Sequence, residues 1–219
     1  MNRTRWPVML FDLDGTVANT IPLILASYAR ATMSVLGTPV SEAESRLWIG
    51  ETLAHTFNTR FPEHSEKLVA AYLSWNVANM DQLVQRYENL EELIIYLKRE
   101  GVVLGVVTSK RRSSAEQTLA AVGLTALLPL VGCMEDTAQH KPSPDPLLRA
   151  VELLGRRPDE CVYVGDTPFD LQAAKAACMA AIGVTWGAGS REELDAEGGT
   201  AIVGTIDELR RELLSPTAS

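Results

Sequence analysis

Cysteine, histidine and positive charge are all scarce in this 219-residue chain, and each shortage removes a class of function. The three cysteines, Cys133, Cys161 and Cys178, are odd in number, lack Cys-x-x-Cys spacing and sit in apolar surroundings. No disulfide framework or thiolate metal centre is expected, and all three read as buried, reduced thiols. His55, His64 and His140 show no ligand spacing, which leaves them surface or packing roles. Lysine and arginine number 20 against 28 acidic residues, for a formal charge of −8 and a pI near 5.0. Nucleic acid is not an expected partner, because binding its backbone requires Lys and Arg to displace counterions. Long apolar runs are missing as well. The residues from Met1 to Pro7 carry Arg3 and Arg5 and lead only into Val8–Phe11, too short for a membrane span or a secretory signal. A cytoplasmic protein with no membrane partner is the expectation. Repeats and low-complexity segments are absent, and only the tail from about Ser215 reads as disordered.

What the chain does have is ordinary globular composition, 46% hydrophobic and 22% charged, at a length that suits one α/β core with an inserted accessory domain. A buried strand, Val8–Phe11, runs directly into Asp12-Leu13-Asp14-Gly15-Thr16. Helical periodicity follows, first through Ile21, Leu25, Tyr28 and Val35, then through Leu53, Phe57, Leu68, Tyr72 and Trp75. Ser41 with Glu44 reads as a capping box. Nothing between about residues 17 and 83 alternates like a strand, so this stretch is expected to be an all-helical insert. From Asn89, which with Glu92 reads as a helix cap, helices alternate with buried strands at 102–107, 130–131, 161–164, 181–184 and 201–203. That alternation predicts an α/β, Rossmann-like parallel sheet flanked by helices, with its site at the strands' C-terminal ends. The polar clusters fall where such a sheet needs them: Asp12 and Asp14, Thr108 and Ser109, Lys141, and Asp166 with Asp170.

These residues suit phosphoryl transfer, which needs a positioned nucleophile, neutralised phosphoryl oxygens and a proton for the leaving oxygen. Asp12 is the candidate nucleophile, since a carboxylate attacking phosphorus splits one hard displacement into two easier ones. Asp14 is the candidate acid and base. Gly15 permits the sharp exit from the strand, and Thr16 is expected to orient Asp14 through its hydroxyl. Mg²⁺ favours hard oxygen ligands, and Asp12, the backbone carbonyl of Asp14, and Asp166 form the expected set. Asp170 is a further ligand or a group that orients Lys141. Thr108 and Lys141 would contact the transferring group, with Ser109, Lys110 and Thr16 on the substrate side. Each feature also has a plainer reading: Asp-x-Asp-Gly as a turn, Thr108 and Ser109 as a helix cap, Lys141 as an exposed loop residue, Lys110-Arg111-Arg112 as a solvated face.

Taken together, Asp12-Leu13-Asp14-Gly15-Thr16, Thr108-Ser109, Lys141-Pro142-Ser143-Pro144-Asp145-Pro146 and Gly165-Asp166-Thr167-Pro168-Phe169-Asp170 resemble the four motifs of haloacid-dehalogenase-like phosphatases. The likeness spans nearly the whole chain, and the helical insert resembles that family's small cap. It implies a core of residues 1–17 and 84–219 and a cap of 18–83. A narrower likeness, to bacterial phosphoglycolate phosphatases and related pyrophosphatases, is carried by RLWIGETLAHTF at 46–57 and GVTWGAGSREEL at 183–194. It implies hydrolysis of a small phosphorylated metabolite, 2-phosphoglycolate first and pyrophosphate second, by a monomer or homodimer. In the cap, Arg46 and Gly50 beside Trp48 are expected on the substrate face, and replacing Arg46 or Lys110 is expected to raise KM.

Other members of such a family are weighed by what is present. Asp14 argues against a dehalogenase. The insert's sole lysine, Lys67, makes a Schiff-base phosphonate hydrolase a poor fit. A sugar-phosphate phosphomutase sharing the core, and a non-catalytic phosphate sensor, stay as alternatives.

Overall fold

The computed structural model describes residues 4–214, so the tail from Ser215 lies outside the described residues. In chain order, β1 (Val8–Phe11) and the short β2 (Ala18–Asn19) are followed by α1 (Ile21–Leu36), α2 (Glu42–Arg46), α3 (Leu53–Arg60), α4 (Ser65–Leu83) and β3 (Gln85–Arg86). Strict alternation then sets in: α5 (Leu90–Arg99), β4 (Val103–Val107), α6 (Arg112–Ala121), β5 (Leu130–Gly132), α7 (Asp145–Leu153) and β6 (Cys161–Gly165). The remaining elements are α8 (Pro168–Ala176), β7 (Ala180–Val184), α9 (Arg191–Glu197), β8 (Ala201–Val203) and α10 (Ile206–Leu214).

Six strands form one parallel sheet in the order β5-β4-β1-β6-β7-β8. Because side chains alternate across a strand, Met9 and Phe11 join one apolar layer with Val106, Val164 and Ile182, while Val8 and Leu10 join the opposite layer with Cys161, Tyr163 and Leu171. Both faces being covered explains why these strands read as continuous apolar runs. β1 is central, with β4 on one side and β6 on the other, so the loops leaving these three strands diverge and open a crevice. Asp12, Thr108 and Asp166 are the residues immediately after those strands.

Helices α1–α4 make the inserted cap, which has a core of its own. The Tyr28 ring lies 5.1 Å from Trp48, 5.6 Å from Phe57 and 4.9 Å from Tyr72, centroid to centroid. The insert is not wholly helical at its edges: β2 and β3 pair antiparallel, Ala18 with Arg86 and Asn19 with Gln85, as the ribbon by which the chain enters and leaves the cap. Strands of two residues are too short to show an alternating pattern.

Local signals met mixed outcomes. Ser41 Oγ accepts the Glu44 N–H at 3.2 Å. Asn89 instead occupies the left-handed region, with φ of 64°, and its side chain caps nothing. Cys133 and Cys161 are buried as expected, but Cys178 is exposed, because it supplies the left-handed turn, φ 58°, between α8 and β7. Among the described residues, no helix is long and apolar enough to cross a membrane.

Candidate active site

Asp12 leaves β1 with its N–H bonded to the Val164 carbonyl at 2.8 Å, which fixes its backbone between the central strands. Its Oδ1 accepts from Lys141 Nζ at 2.7 Å. The same ammonium donates to Asp170 Oδ1 at 2.5 Å and to the Tyr163 hydroxyl at 3.0 Å, and the Tyr163 hydroxyl in turn donates to the Val107 carbonyl at 2.7 Å. Lys141 is thus buried with all the donors of its ammonium engaged. Burial opposes its charge, but Asp12 and Asp170 outweigh that and hold the ammonium well above the ordinary lysine range.

Asp166 lies at the end of β6, wholly buried. Thr16 Oγ1 donates to its Oδ1 at 3.0 Å, and the Ala188 N–H to its Oδ2 at 2.7 Å. Asp170, in the first turn of α8, accepts the Thr167 N–H at 2.9 Å and the Thr167 hydroxyl at 2.7 Å on Oδ2, a capping box that turns Oδ1 toward Lys141. Ligand oxygens of Asp12, Asp166 and Asp170 all lie within 4.8 Å of one another.

Asp14 stands apart from that cluster. Its Oδ1 accepts from Thr20 Oγ1 at 2.6 Å and from Lys110 Nζ at 2.5 Å. Thr20 occupies the N-cap position of α1, yet its side chain makes no cap bond, since the hydroxyl goes to Asp14. Across the cavity, Thr108 is buried with its Oγ1 accepting the Lys110 N–H at 3.2 Å, and the buried Ser109 Oγ has no partner among the described residues. Asp12, Asp14, Thr108, Ser109, Lys110 and Lys141 form the core side of a narrow cavity of about 80 Å³, and Tyr28, Trp48, Tyr72 and Asn76 roof it from the cap. Gly50 also lines it. A Cβ at Gly50 would come within 2.8 Å of the Phe169 ring and 3.1 Å of Thr167 Oγ1, so this glycine lets cap and core meet.

Residues 9–184 match the family described as haloacid dehalogenase-like hydrolase. The chain belongs to that family. This haloacid dehalogenase-like hydrolase is 32% identical over 188 residues to a Bacillus cereus protein named pyrophosphatase PpaX, covering 86% of this chain and 87% of the relative. Among solved structures, a predicted phosphatase from Clostridium acetobutylicum aligns with a TM-score of 0.86 and 27% identity, over 96% of this chain and 99% of that one. A predicted phosphoglycolate phosphatase from Haemophilus somnus shares the fold, with a TM-score of 0.83 at 23% identity over 94% and 97% of the two chains.

Two expected site residues of the hydrolase, Thr16 and Arg46, stand elsewhere than the sequence suggested. The Thr16 hydroxyl serves Asp166 and not Asp14, and Thr20 takes the place expected for it. Thr16 itself is buried. Lys110 is bonded to Asp14. Arg46 pairs with Glu42 at 3.2 Å and lines a separate groove with Asn19 and Trp186, outside the cavity that holds Asp12. Thr20 and Tyr163 were missed, because a hydroxyl in a helix start and one inside a buried strand carry no distinctive pattern.

The donor set fits a divalent magnesium ion. Three buried carboxylates cluster with one ammonium, which bonds Asp12 and Asp170 but not Asp166, so hard oxygen donors outnumber the cation that balances them. The strain of that excess is visible in the acids themselves. Burial raises the Asp12 carboxyl to about 7, partly offset by Lys141 and reinforced by the Asp170 and Asp14 charges. Burial, then the Asp170 and Asp12 charges, carry Asp166 well above the carboxylate range.

A raised folded-state value means that the metal-free protein has its full stability from Asp12 below about pH 4 and loses it as pH climbs through about 7, and the raised Asp166 acts in the same direction. Bound Mg²⁺ should reverse the loss. The rise in melting temperature on replacing EDTA by Mg²⁺ is expected to be roughly 5–10 °C larger at pH 8 than at pH 5. Equal rises at both pH values would contradict the charge-excess account.

Proposed function

We propose that this protein hydrolyses a small phosphorylated metabolite, with Mg²⁺, through an aspartyl-phosphate on Asp12. The observation that carries the reading is the buried cluster of Asp12, Asp166 and Asp170, set against one lysine on the floor of a cavity roofed by the cap. A Asp12 carboxylate oxygen forms a bond to phosphorus as the bond from phosphorus to the leaving oxygen breaks. Asp14 gives that oxygen its proton. The Asp14 carboxylate then takes a proton from water, whose oxygen bonds to phosphorus. The link to Asp12 breaks, releasing phosphate and restoring the carboxylate. Thr20 and Lys110 both donate to Asp14 Oδ1 and so fix the orientation of its carboxyl group at the cavity wall.

Lys141 and the Thr108 and Ser109 hydroxyls would meet the phosphoryl oxygens. Asp12, the backbone carbonyl of Asp14, and Asp166 would hold Mg²⁺, with Asp170 orienting Lys141. When bound, the ion supplies charge neutralisation to the phosphoryl group. Residues 18–83 would move as the cap on the β2–β3 ribbon, excluding bulk water when Gly50 meets Thr167 and Phe169.

Both favoured substrates, 2-phosphoglycolate and pyrophosphate, carry a second anionic group. Similarity to the pyrophosphatase at 32% identity favours pyrophosphate, since the phosphoglycolate phosphatase at 23% bears on fold alone. The cavity's other cations are committed, Lys110 to Asp14 and Lys141 to Asp12 and Asp170, whereas Arg111 lines it with no salt bridge within 4.0 Å among the described residues, its charge reaching only as far as a longer-range pull on Glu135. Arg111→Ala is expected to raise KM for pyrophosphate roughly 10-fold and to leave KM for a chromogenic aryl phosphate unchanged. Equal effects on both would remove Arg111 from the specificity surface. Phosphate release from 2-phosphoglycolate, pyrophosphate, sugar phosphates and nucleotides, with Mg²⁺ or EDTA, tests the reading as a whole. Release that EDTA does not abolish would refute it, and no release from any would favour the phosphomutase or sensor alternatives.

A further inference from the structure

The loop after β7, Trp186-Gly187-Ala188-Gly189, grips Asp166 from the side opposite Thr16. The Ala188 N–H donates to Asp166 Oδ2 at 2.7 Å and the Gly189 N–H to the Asp166 carbonyl at 3.0 Å. A Cβ on Gly187 would lie 2.2 Å from Asp166 Oδ2, and one on Gly189 would lie 2.5 Å from the Asp166 carbonyl oxygen. Both contacts are closer than side chains tolerate, so the loop reaches the acid only with glycine on either side of Ala188.

Trp186 anchors the loop. Its indole N–H donates to the Thr16 carbonyl at 3.2 Å, while the Thr16 hydroxyl holds Asp166 Oδ1. The Tyr87 hydroxyl lies 3.4 Å from the Trp186 carbonyl and 3.3 Å from the Gly15 carbonyl, and the two rings meet at a 60° angle with centroids 6.1 Å apart. Tyr87 directly follows β3, the return strand of the cap ribbon. The circuit therefore runs from Asp166 through Thr16, Trp186 and Ala188 back to Asp166, with Tyr87 tying it to the hinge. Each carboxylate oxygen of Asp166 receives one donor from a different segment, which leaves the acid a single orientation.

We propose that the Trp186–Gly189 loop is a positioning element for the divalent-metal site: it fixes Asp166 in the orientation that a bound cation needs, and Trp186 and Tyr87 fix the loop. This rests on the reading of Asp166 as a metal ligand. Partners that orient a ligand set affinity for the ion, since an acid free to rotate must be ordered on binding. Loosening the loop should weaken the metal before it touches the chemistry.

The test is Mg²⁺ titration of the full-length protein by calorimetry, paired with kcat measured across Mg²⁺ concentration. Gly187→Ala, which drives a methyl group at Asp166, should weaken Mg²⁺ binding roughly 10–100-fold. Trp186→Phe, which removes the indole N–H and shrinks the ring that meets Tyr87, should weaken it several-fold, and Tyr87→Phe less. In all three, kcat at saturating Mg²⁺ should return to near that of the unaltered protein, an outcome that a general loss of folding would not give. Unchanged Mg²⁺ affinity in Gly187→Ala and Trp186→Phe, or a fall in kcat that Mg²⁺ does not restore, would overturn the proposal. Should Gly187→Ala not fold, Trp186→Phe and Tyr87→Phe decide it by the same criteria. Asp166→Ala separates this claim from the one beneath it: if that variant binds Mg²⁺ normally, the ligand reading fails, and if only the loop variants do, the loop proposal alone fails.

Discussion

Asp12→Asn is expected to lower kcat on the order of 10⁴–10⁶-fold while the protein stays folded, because the amide cannot form the mixed anhydride on which the two-step reaction depends. The substitution is nearly isosteric, and Lys141 keeps Asp170 and Tyr163 as partners, so no buried cation is stranded. The stability change even has a predictable sign. Asp12 is a buried acid raised to about 7, so replacing it with a neutral amide removes a charge that the metal-free fold resists at pH 8. Without Mg²⁺ the variant should therefore melt no lower than the unaltered protein at pH 8. Circular dichroism and thermal melting check the fold, and phosphate release checks kcat; activity retained within about 10-fold would remove Asp12 as nucleophile.

Lys141→Met has the other large expected effect, on stability as well as turnover. Among the described residues Lys141 is the one cation bonded to both Asp12 and Asp170, and all three side chains are buried. Deleting one member of such a group leaves uncompensated buried charge, at a cost of about 3–5 kcal/mol. The carboxylates can escape part of that cost by taking up protons, so the loss in urea unfolding should be larger at pH 8 than at pH 5. Adding Asp170→Asn to Lys141→Met should recover part of the stability, giving a double variant less destabilised than the sum of the singles. A loss under about 1 kcal/mol at pH 8, with turnover preserved, would show that the buried triad does not organise the site.

Much of this arrangement is legible from residue order. Apolar strands that end abruptly in Asp12, Thr108 and Asp166 announce a parallel sheet with chemistry at one rim, and the structure places those residues side by side because β1, β4 and β6 are neighbours. The helical insert is legible from its periodicity, and its aromatic residues form its core. What the sequence hides is the partner of each side chain. The sequence points to Thr16 as the holder of Asp14, but the turn brings Thr20 over Asp14 and turns the Thr16 hydroxyl to Asp166. Arg46 and Trp48 are two residues apart, yet the short helix α2 ends between them and sends Trp48 into the cavity roof and Arg46 to a different groove. The two-residue ribbon and the Trp186–Gly189 grip on Asp166 depend on contacts between distant segments, which no local pattern records.

The central claim is covalent transfer to Asp12, and the most direct measurement is to quench the enzyme with acid during turnover of phosphorus-labelled pyrophosphate or an aryl phosphate and map the label on the protein. Borohydride reduction followed by peptide mass spectrometry would locate an acyl phosphate at a single residue. Label at Asp12, absent from Asp12→Asn, is the predicted result. Label at another residue, or none while turnover proceeds at quench times shorter than one catalytic cycle, would contradict it and require water to attack phosphorus directly.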